Sequence, residues 1–181
     1  MSDLKIINIQ FKDPNENKNT NVNEKQSKKR AITTTALWKA NEKDISVEKQ
    51  QDYIKELKTN HIQSTNICKV ISRQIKQKIS GYRNQDILKN KLEKEKLISF
   101  EKTITLLDDC KLSCYYCKEQ VLVLYENVRE PTQWSLDRLD NDFGHNVGNV
   151  VISCLSCNLR RKTMYHERFA FTKQLNIVKK M

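Results

Sequence analysis

Two Cys-x-x-Cys pairs constrain the fold of this chain more than any other feature. They are Cys114 with Cys117 and Cys154 with Cys157, and together they account for four of the six cysteines. Zn²⁺ takes four ligands in a tetrahedron, and each short pair supplies two thiolates at a fixed spacing. The pattern therefore predicts one structural zinc ion held by all four cysteines. Four buried thiols or two disulfides are the alternatives.

The amino terminus bears on the choice between metal and disulfides. The first ten residues contain no long apolar segment and no cleavage-site pattern, and no apolar run reaches the length of a membrane span. We therefore expect a soluble intracellular protein of the nucleus or cytoplasm, neither secreted nor in contact with a membrane. Thiols stay reduced in those compartments, which favours zinc. Cys68 and Cys110 have no close partner and are expected to be buried helix residues, with Cys110 a possible spare ligand.

Charge indicates the class of partner. The chain carries 33 Lys and Arg against 22 Asp and Glu, a formal net charge of +11. Such a balance is typical of proteins that bind polyanions, although it says nothing about the fold. The basic residues concentrate in two blocks, 69–96 and 158–181, on either side of the cysteine pairs. We expect nucleic acid as the partner; a solvated basic surface and the composition of an AT-rich genome are the plainer explanations.

Composition divides the chain into three parts. Residues 1–30 are expected to form a disordered polar and basic tail, because 12–30 offers almost no apolar side chain to offset the entropy lost on ordering. Residues 4–11 within it are apolar, and we interpret them as an edge strand or as a docking segment for a protein partner. Residues 31–97 are expected to be a helical basic region, and residues 98–181 a zinc-bound domain.

Hydrophobic periodicity predicts the helices. Isoleucines recur every four residues at 67, 71, 75 and 79, which predicts a helix over 64–80 that stops at Gly81. Apolar residues at 97, 100, 104 and 107 predict a second helix that ends at 108–110. The pattern over 46–58 predicts a third, more weakly.

The pattern changes to strands after residue 111. Strands are predicted over 120–125, 132–137 and 149–153, and a helix from Leu155 towards Lys162. Gly144 and Gly148 lie between the last two strands, so that loop should be tightly shaped. The predicted fold class is α+β, with a helical amino-terminal half followed by a small zinc-stapled module.

The order of the motifs resembles a known family. Along the chain stand the first cysteine pair, Leu136-Asp-Arg-Leu-Asp-Asn141, Gly144-His145, Asn149-Val150, and Cys154-x-x-Cys157-Asn158 followed by Arg161-Lys162. This order resembles the HNH endonucleases, and in particular their zinc-stapled branch, similar to phage recombination endonucleases and HNH proteins of large DNA viruses. The resemblance covers roughly residues 98–175 and suits a viral origin.

The resemblance implies a ββα-metal module, in which two strands and a helix hold one divalent ion against the scissile phosphate. By position, Asp137 and Asn158 would bind Mg²⁺ or Mn²⁺, and Asn149 would fix the loop that orients the catalytic strand. Hard oxygen ligands suit Mg²⁺, which stabilises charge on the phosphate and on the leaving 3′ oxygen. The basic side chains next on the helix would bind DNA phosphates independently of sequence: Arg160, Arg161 and Lys162.

One residue departs from the family's pattern. The position after the metal-binding aspartate usually carries a histidine, the general base that activates water, and here it is Arg138. A guanidinium has no acceptor lone pair, so it cannot take that proton, but it can hold phosphate or stabilise the transition state. His145 is the candidate replacement, with packing against Trp134 or capping of a strand as its plainer role. Asp140 is another candidate, although an Asp-Asn pair is also ordinary in turns.

The sequence therefore predicts a metal-dependent HNH endonuclease that hydrolyses DNA phosphodiester bonds. A zinc-stabilised DNA-binding protein that has lost catalysis is the first alternative, and Arg138 favours it. A structural protein, for example in virion packaging, is the second. Asp137 and Asn158 favour the enzyme, because zinc requires neither of them. The DNA form that is cleaved and the oligomeric state are not predicted.

Overall fold

The computed structural model describes residues 46–59, 65–125 and 129–174. The predictions for the tail at 1–30 and for the segment 4–11 lie outside these residues. In chain order the elements are α1 (Val47–Thr59), α2 (Asn66–Leu88), α3 (Phe100–Asp109), β1 (Trp134–Arg138), β2 (Val150–Cys154), α4 (Leu155–Arg161) and α5 (His166–Gln174). The α+β class is confirmed, as a mixture of helices with one small two-stranded sheet. Among the helices described, none is both long and apolar enough to cross a membrane.

Helix α2 is longer than the sequence predicts. It begins after Thr65, whose side-chain oxygen accepts a hydrogen bond from the backbone N–H of Cys68 at 3.2 Å. The predicted stop at Gly81 is wrong, because the helix continues for two turns beyond it. A glycine inside a helix costs only about 1 kcal/mol relative to alanine. The turns beyond it bury Asp86 and place the Tyr82 hydroxyl against β1, and we attribute the continuation to those contacts.

Helix α3 begins later in the chain than the apolar pattern predicts. Ser99 caps it by accepting a hydrogen bond from the backbone N–H of Lys102 at 3.2 Å, so the first helical residue is Phe100. Leu97 lies outside the helix and forms an isolated bridge with Asn146 instead. Ile104 is buried as the helical spacing predicts. The weaker prediction of a helix near 46–58 is confirmed by α1.

The sheet consists of one antiparallel pair. Trp134 lies opposite Cys154, and Asp137 lies opposite Val151, so β2 leads directly into α4. The strand predicted over 120–125 is wrong: this segment makes only isolated bridges, from Gln120 to Ser113 and from Leu122 to Gln133.

The hydrogen bonding of the 120–125 segment explains why it is not a strand. The backbone N–H groups of Val123 and Leu124 both donate to the side-chain oxygen of Gln50 in α1, at 2.8 and 2.9 Å. A side chain rather than a neighbouring strand therefore satisfies this backbone.

A single hydrophobic core joins the helices to the cysteine module. Buried side chains from α1, α2 and α3 pack in the same cluster as those from the sheet, with representative members Ile54, Ile71, Leu107, Trp134 and Leu136. Helix α5 contributes Phe169, whose ring packs edge-on against Tyr116 at 5.0 Å between centroids. The three-part division of the chain stays a prediction, and α1 and α2 share their core with the residues that follow.

Candidate functional site

The four paired cysteines converge at one point. Cys114 and Cys117 lie in the turns after α3, Cys154 ends β2, and Cys157 lies in the first turn of α4. All four sulfurs lie within 4.8 Å of one another. Backbone N–H groups point at two of them, from Cys154 to the Cys114 sulfur at 3.3 Å and from Cys157 to the Cys154 sulfur at 3.4 Å. The prediction that the four cysteines come together is confirmed, and the donor set fits a structural zinc ion.

The protonation of the cluster is uneven. A hydrogen bond with the Cys154 thiol lowers the pKa of Cys114 to about 4, so this sulfur is a thiolate at neutral pH. The same hydrogen bond raises the pKa of Cys154, and burial raises the pKa of Cys157 to about 12. Zinc binding must therefore release protons from at least these two thiols, which makes the affinity fall as the pH falls.

The two remaining cysteines do not join the cluster. Cys68 is fully buried inside α2, as predicted. Cys110 follows α3, is half-buried, and donates a weak hydrogen bond from its thiol to the carbonyl of Leu107 at 3.5 Å.

Beside the cluster lies a cleft of about 610 Å³ between α2 and the sheet with α4. The fold brings four predicted site residues from three segments to its walls: Asp137 and Arg138 of β1, His145 of the loop and Asn158 of α4. The opposite wall is one face of α2, formed by Lys78, Tyr82, Gln85 and Lys89. Sequence reasoning missed this wall. Its residues recur at helical spacing and continue the face of α2 on which Ile71 and Ile75 lie, so extending the isoleucine stripe beyond residue 79 would have located it.

Asp137 is held in a buried, two-pronged ion pair. The Arg161 guanidinium donates from Nε to Oδ2 at 2.7 Å and from Nη2 to Oδ1 at 3.0 Å, and the Tyr116 hydroxyl donates to Oδ2 at 2.8 Å. Arg161 is 2% exposed and Asp137 is 6% exposed. Nη2 also donates to oxygens of Arg138 and Asn141, and Nη1 donates to the Met164 carbonyl. Each of the three guanidinium nitrogens therefore has a partner inside the protein.

This geometry corrects the expectation that Arg161 binds DNA phosphate together with its neighbours. Arg161 lies four residues after the buried Cys157, so the helical period turns it inward on the same face of α4. Arg160 and Lys162 are exposed and stay available to phosphate.

The same ion pair affects whether Asp137 can bind a catalytic divalent ion. Asp137 and Asn158 line the same cleft, as a shared ion would require. However, the Asp137 carboxylate accepts three hydrogen bonds and Arg161 cancels its charge, while the Asn158 amide nitrogen donates to the Ser135 hydroxyl at 3.1 Å and to the Leu136 carbonyl at 3.2 Å. In this arrangement Mg²⁺ or Mn²⁺ at Asp137 would have to compete with Arg161 for the carboxylate.

The loop between the strands is fixed by Asn149. Its side-chain oxygen accepts from the backbone N–H of Asp140 at 2.9 Å, and its amide donates to the carbonyls of Asp140 and Gly144 at 3.0 and 2.9 Å. This is the loop-holding geometry that the resemblance implies for Asn149. Asp140 uses its own carboxylate to accept from the backbone N–H of Asp142 at 2.8 Å, which is turn chemistry.

Arg138 and His145 occupy the cleft wall at the end of the loop. Arg138 is half-exposed and donates from Nη1 to the Phe143 carbonyl at 3.1 Å. His145 is 4% exposed and stacks on Tyr82, not on Trp134, with 4.5 Å between ring centroids. Burial lowers the pKa of His145, so its imidazole is neutral at pH 7. A neutral imidazole can accept a proton, and the guanidinium on the same cleft wall can hold an anion.

Comparisons of the chain with protein-family models, with curated proteins and with solved structures gave no significant match. The resemblance to HNH endonucleases therefore rests on the motif residues and on their placement in this cleft.

The first prediction concerns zinc. Purified protein should contain one zinc per chain, and Cys154→Ser should abolish zinc binding and unfold the module, because the ion links three segments around a small core. Elemental analysis and thermal unfolding measure both effects. Cys68→Ser, which changes a cysteine outside the cluster, should keep its zinc. A metal-free wild type with unchanged thermal stability would refute the assignment.

The second prediction concerns the ion pair. Asp137→Ala and Arg161→Ala should each lower the free energy of unfolding by roughly 3–5 kcal/mol, since each leaves a buried charge without a partner. The double variant should lose much less than the sum of the two single losses, because no charge is then left unpaired. Chemical denaturation of the four proteins in a double-mutant cycle gives the coupling. Additive losses would show that the pair is not coupled.

Proposed function

We propose that the chain is an HNH-type endonuclease that hydrolyses phosphodiester bonds of DNA. The observation that carries this proposal is the meeting of Arg138, His145 and Asn158, three residues from different segments, in one cleft. Hydrolysis of a phosphodiester needs a proton acceptor for water and positive charge near the phosphate. His145 is suited to the first role and Arg138 to the second.

The charge around the cleft supports a DNA substrate. Lys89 on the α2 side and Lys162 on the α4 side line its two walls, and Arg160 is exposed next to Lys162. The whole chain carries +11. Cations on both walls of a cleft attract a phosphate backbone and hold it without reading base sequence.

A second candidate function is favoured by the Asp137–Arg161 ion pair. If that pair persists in the working protein, the carboxylate is not available to a divalent ion, and the module binds DNA without cutting it. The two candidates share the zinc cluster and the basic cleft, and they differ in one property, the cleavage of DNA.

The third prediction tests cleavage. Wild-type protein should convert supercoiled plasmid to the nicked form when Mg²⁺ or Mn²⁺ is added, and Asn158→Ala should lose this activity while keeping its zinc. The reference reaction should omit added ions and avoid a chelator, because a chelator would also remove the structural zinc. Asp137→Ala is a poor control, since it disrupts a buried ion pair. Plasmid that is bound and never nicked, under any ion, would support the second candidate.

The fourth prediction tests the DNA interface. The double variant Arg160→Glu/Lys162→Glu should reduce the slope of log affinity against log salt by about 2, since each lost phosphate contact contributes roughly 0.9. The matched control is Lys49→Glu/Lys102→Glu, which makes the same charge change at exposed positions on α1 and α3. Fluorescence anisotropy with a short duplex measures both. Equal slopes for the two double variants would exclude α4 from the interface.

A further inference from the structure

We propose that α2 positions the proton acceptor of the cleft: Nε2 of His145, in the loop between the strands, acts as the general base, and Asp86 on α2 is the residue that positions it. This inference rests on the proposed nuclease function and assigns a role to Asp86, a residue outside the segment that resembles HNH endonucleases. It also accounts for the absence of a base at Arg138.

The contacts of Asp86 fix both the ring and its backbone. Asp86 lies in the last turns of α2 and is 0% exposed. Its Oδ1 lies 2.8 Å from Nδ1 of His145, and its Oδ2 accepts from the backbone N–H of His145 at 2.7 Å. A carboxylate is an acceptor only, so Nδ1 carries the proton and donates it to Oδ1. The neutral imidazole then has its lone pair on Nε2.

The loop is shaped so that His145 can reach Asp86. A Cβ atom at Gly144 would lie 2.5 Å from the Lys91 carbonyl oxygen and 2.9 Å from Asp86 Oδ2. No side chain fits at that distance, so glycine is required for the close approach. Tyr82, one turn before Asp86 on α2, stacks on the imidazole with 28° between the ring planes. Two residues of α2 therefore hold the ring from its edge and from its face.

In this proposal the free ring nitrogen of His145, Nε2, lies in the cleft. His145 lines the cleft together with Asn158 and Arg138. Within the described part of the chain, the hydrogen bonds of the ring are those of Nδ1 and none involves Nε2. The charged groups that act on the ring are Asp86, Arg138 and Asp137. Burial has the largest effect and keeps the imidazole neutral, which is the form that accepts a proton.

The chemical step balances with water as the only co-reactant. The oxygen of a water molecule forms a bond to phosphorus while Nε2 takes one of its protons. The bond between phosphorus and the 3′ oxygen breaks, the electron pair leaves with that oxygen, and solvent water protonates it. The products are a 5′-phosphate and a 3′-hydroxyl, and the imidazolium returns its proton to solvent. Arg138 lies where its charge can stabilise the phosphate during this step.

A purely structural role for Asp86 and His145 makes a different prediction. As a structural tie, Asp86 and His145 would only join α2 to the loop, much as Glu93, which follows α2, holds Asn146 of the same loop through a 2.7 Å hydrogen bond. Glu93→Gln is therefore the matched control, because it weakens a neighbouring contact with the same loop. Glu93 does not line the cleft.

The fifth prediction tests the general base. In the plasmid-nicking assay, His145→Ala should lower the single-turnover rate by about 10²–10⁴, and added imidazole should restore part of it by entering the space left by the ring. Asp86→Asn should lower kcat with little change in KM, because its amide can donate to Nδ1 and so place the proton on Nε2. Glu93→Gln should cleave as wild type does. Zinc content and thermal stability are measured for every variant.

The outcomes separate this inference from the proposed function. If wild type and His145→Ala cleave equally, the general-base assignment is wrong and the nuclease proposal stands. A loss in His145→Ala that imidazole does not restore, accompanied by lower thermal stability, would make the pair a structural tie. If Asp86→Asn fails to fold, imidazole rescue of His145→Ala still decides the role of the histidine. No cleavage by wild type with any divalent ion removes both proposals.

Discussion

The convergence of four cysteine sulfurs is the constraint on which the module depends. The turns after α3, the end of β2 and the first turn of α4 meet there, and only one two-stranded pair lies beside them in the described structure. So small a sheet buries too little apolar surface to fix these segments alone, and a bound ion would add its binding free energy to folding. Because Asn158 directly follows Cys157 in α4, its position in the cleft follows from that of the cluster.

The ion pair between Asp137 and Arg161 shows that a residue expected in a metal site can serve the fold instead. The Asp137 carboxylate, which the resemblance would make a ligand of a divalent ion, neutralises a buried arginine. Either the pair opens when DNA and an ion enter, or Asp137 has become part of the core. The two cases place the same residues in the same cleft, so the motif alone does not separate an enzyme from a binding protein.

The features that were predicted correctly are those that show as a regular spacing of residues in the sequence. Cysteine spacing predicted the cluster, and the isoleucine period predicted α2. The errors come from partners far along the chain. Gln50 replaces a strand partner for residues 123 and 124, and contacts of Tyr82 and Asp86 carry α2 beyond Gly81. The burial of Arg161 could have been predicted, because Arg161 lies one helical turn after Cys157. Its basic character suggested DNA contact instead.

Gln50 also has a consequence for association between chains. The segment 120–125 runs beside β1, with the Leu122 N–H donating to Thr132 and the Trp134 N–H donating to Leu122. Unpaired N–H groups along such an edge are a template on which another chain can add a strand. The Gln50 amide oxygen occupies the N–H groups of Val123 and Leu124 from within the same molecule. A single buried side chain on α1 thus takes the place of a strand partner, and these two N–H groups are not available to a strand of another chain.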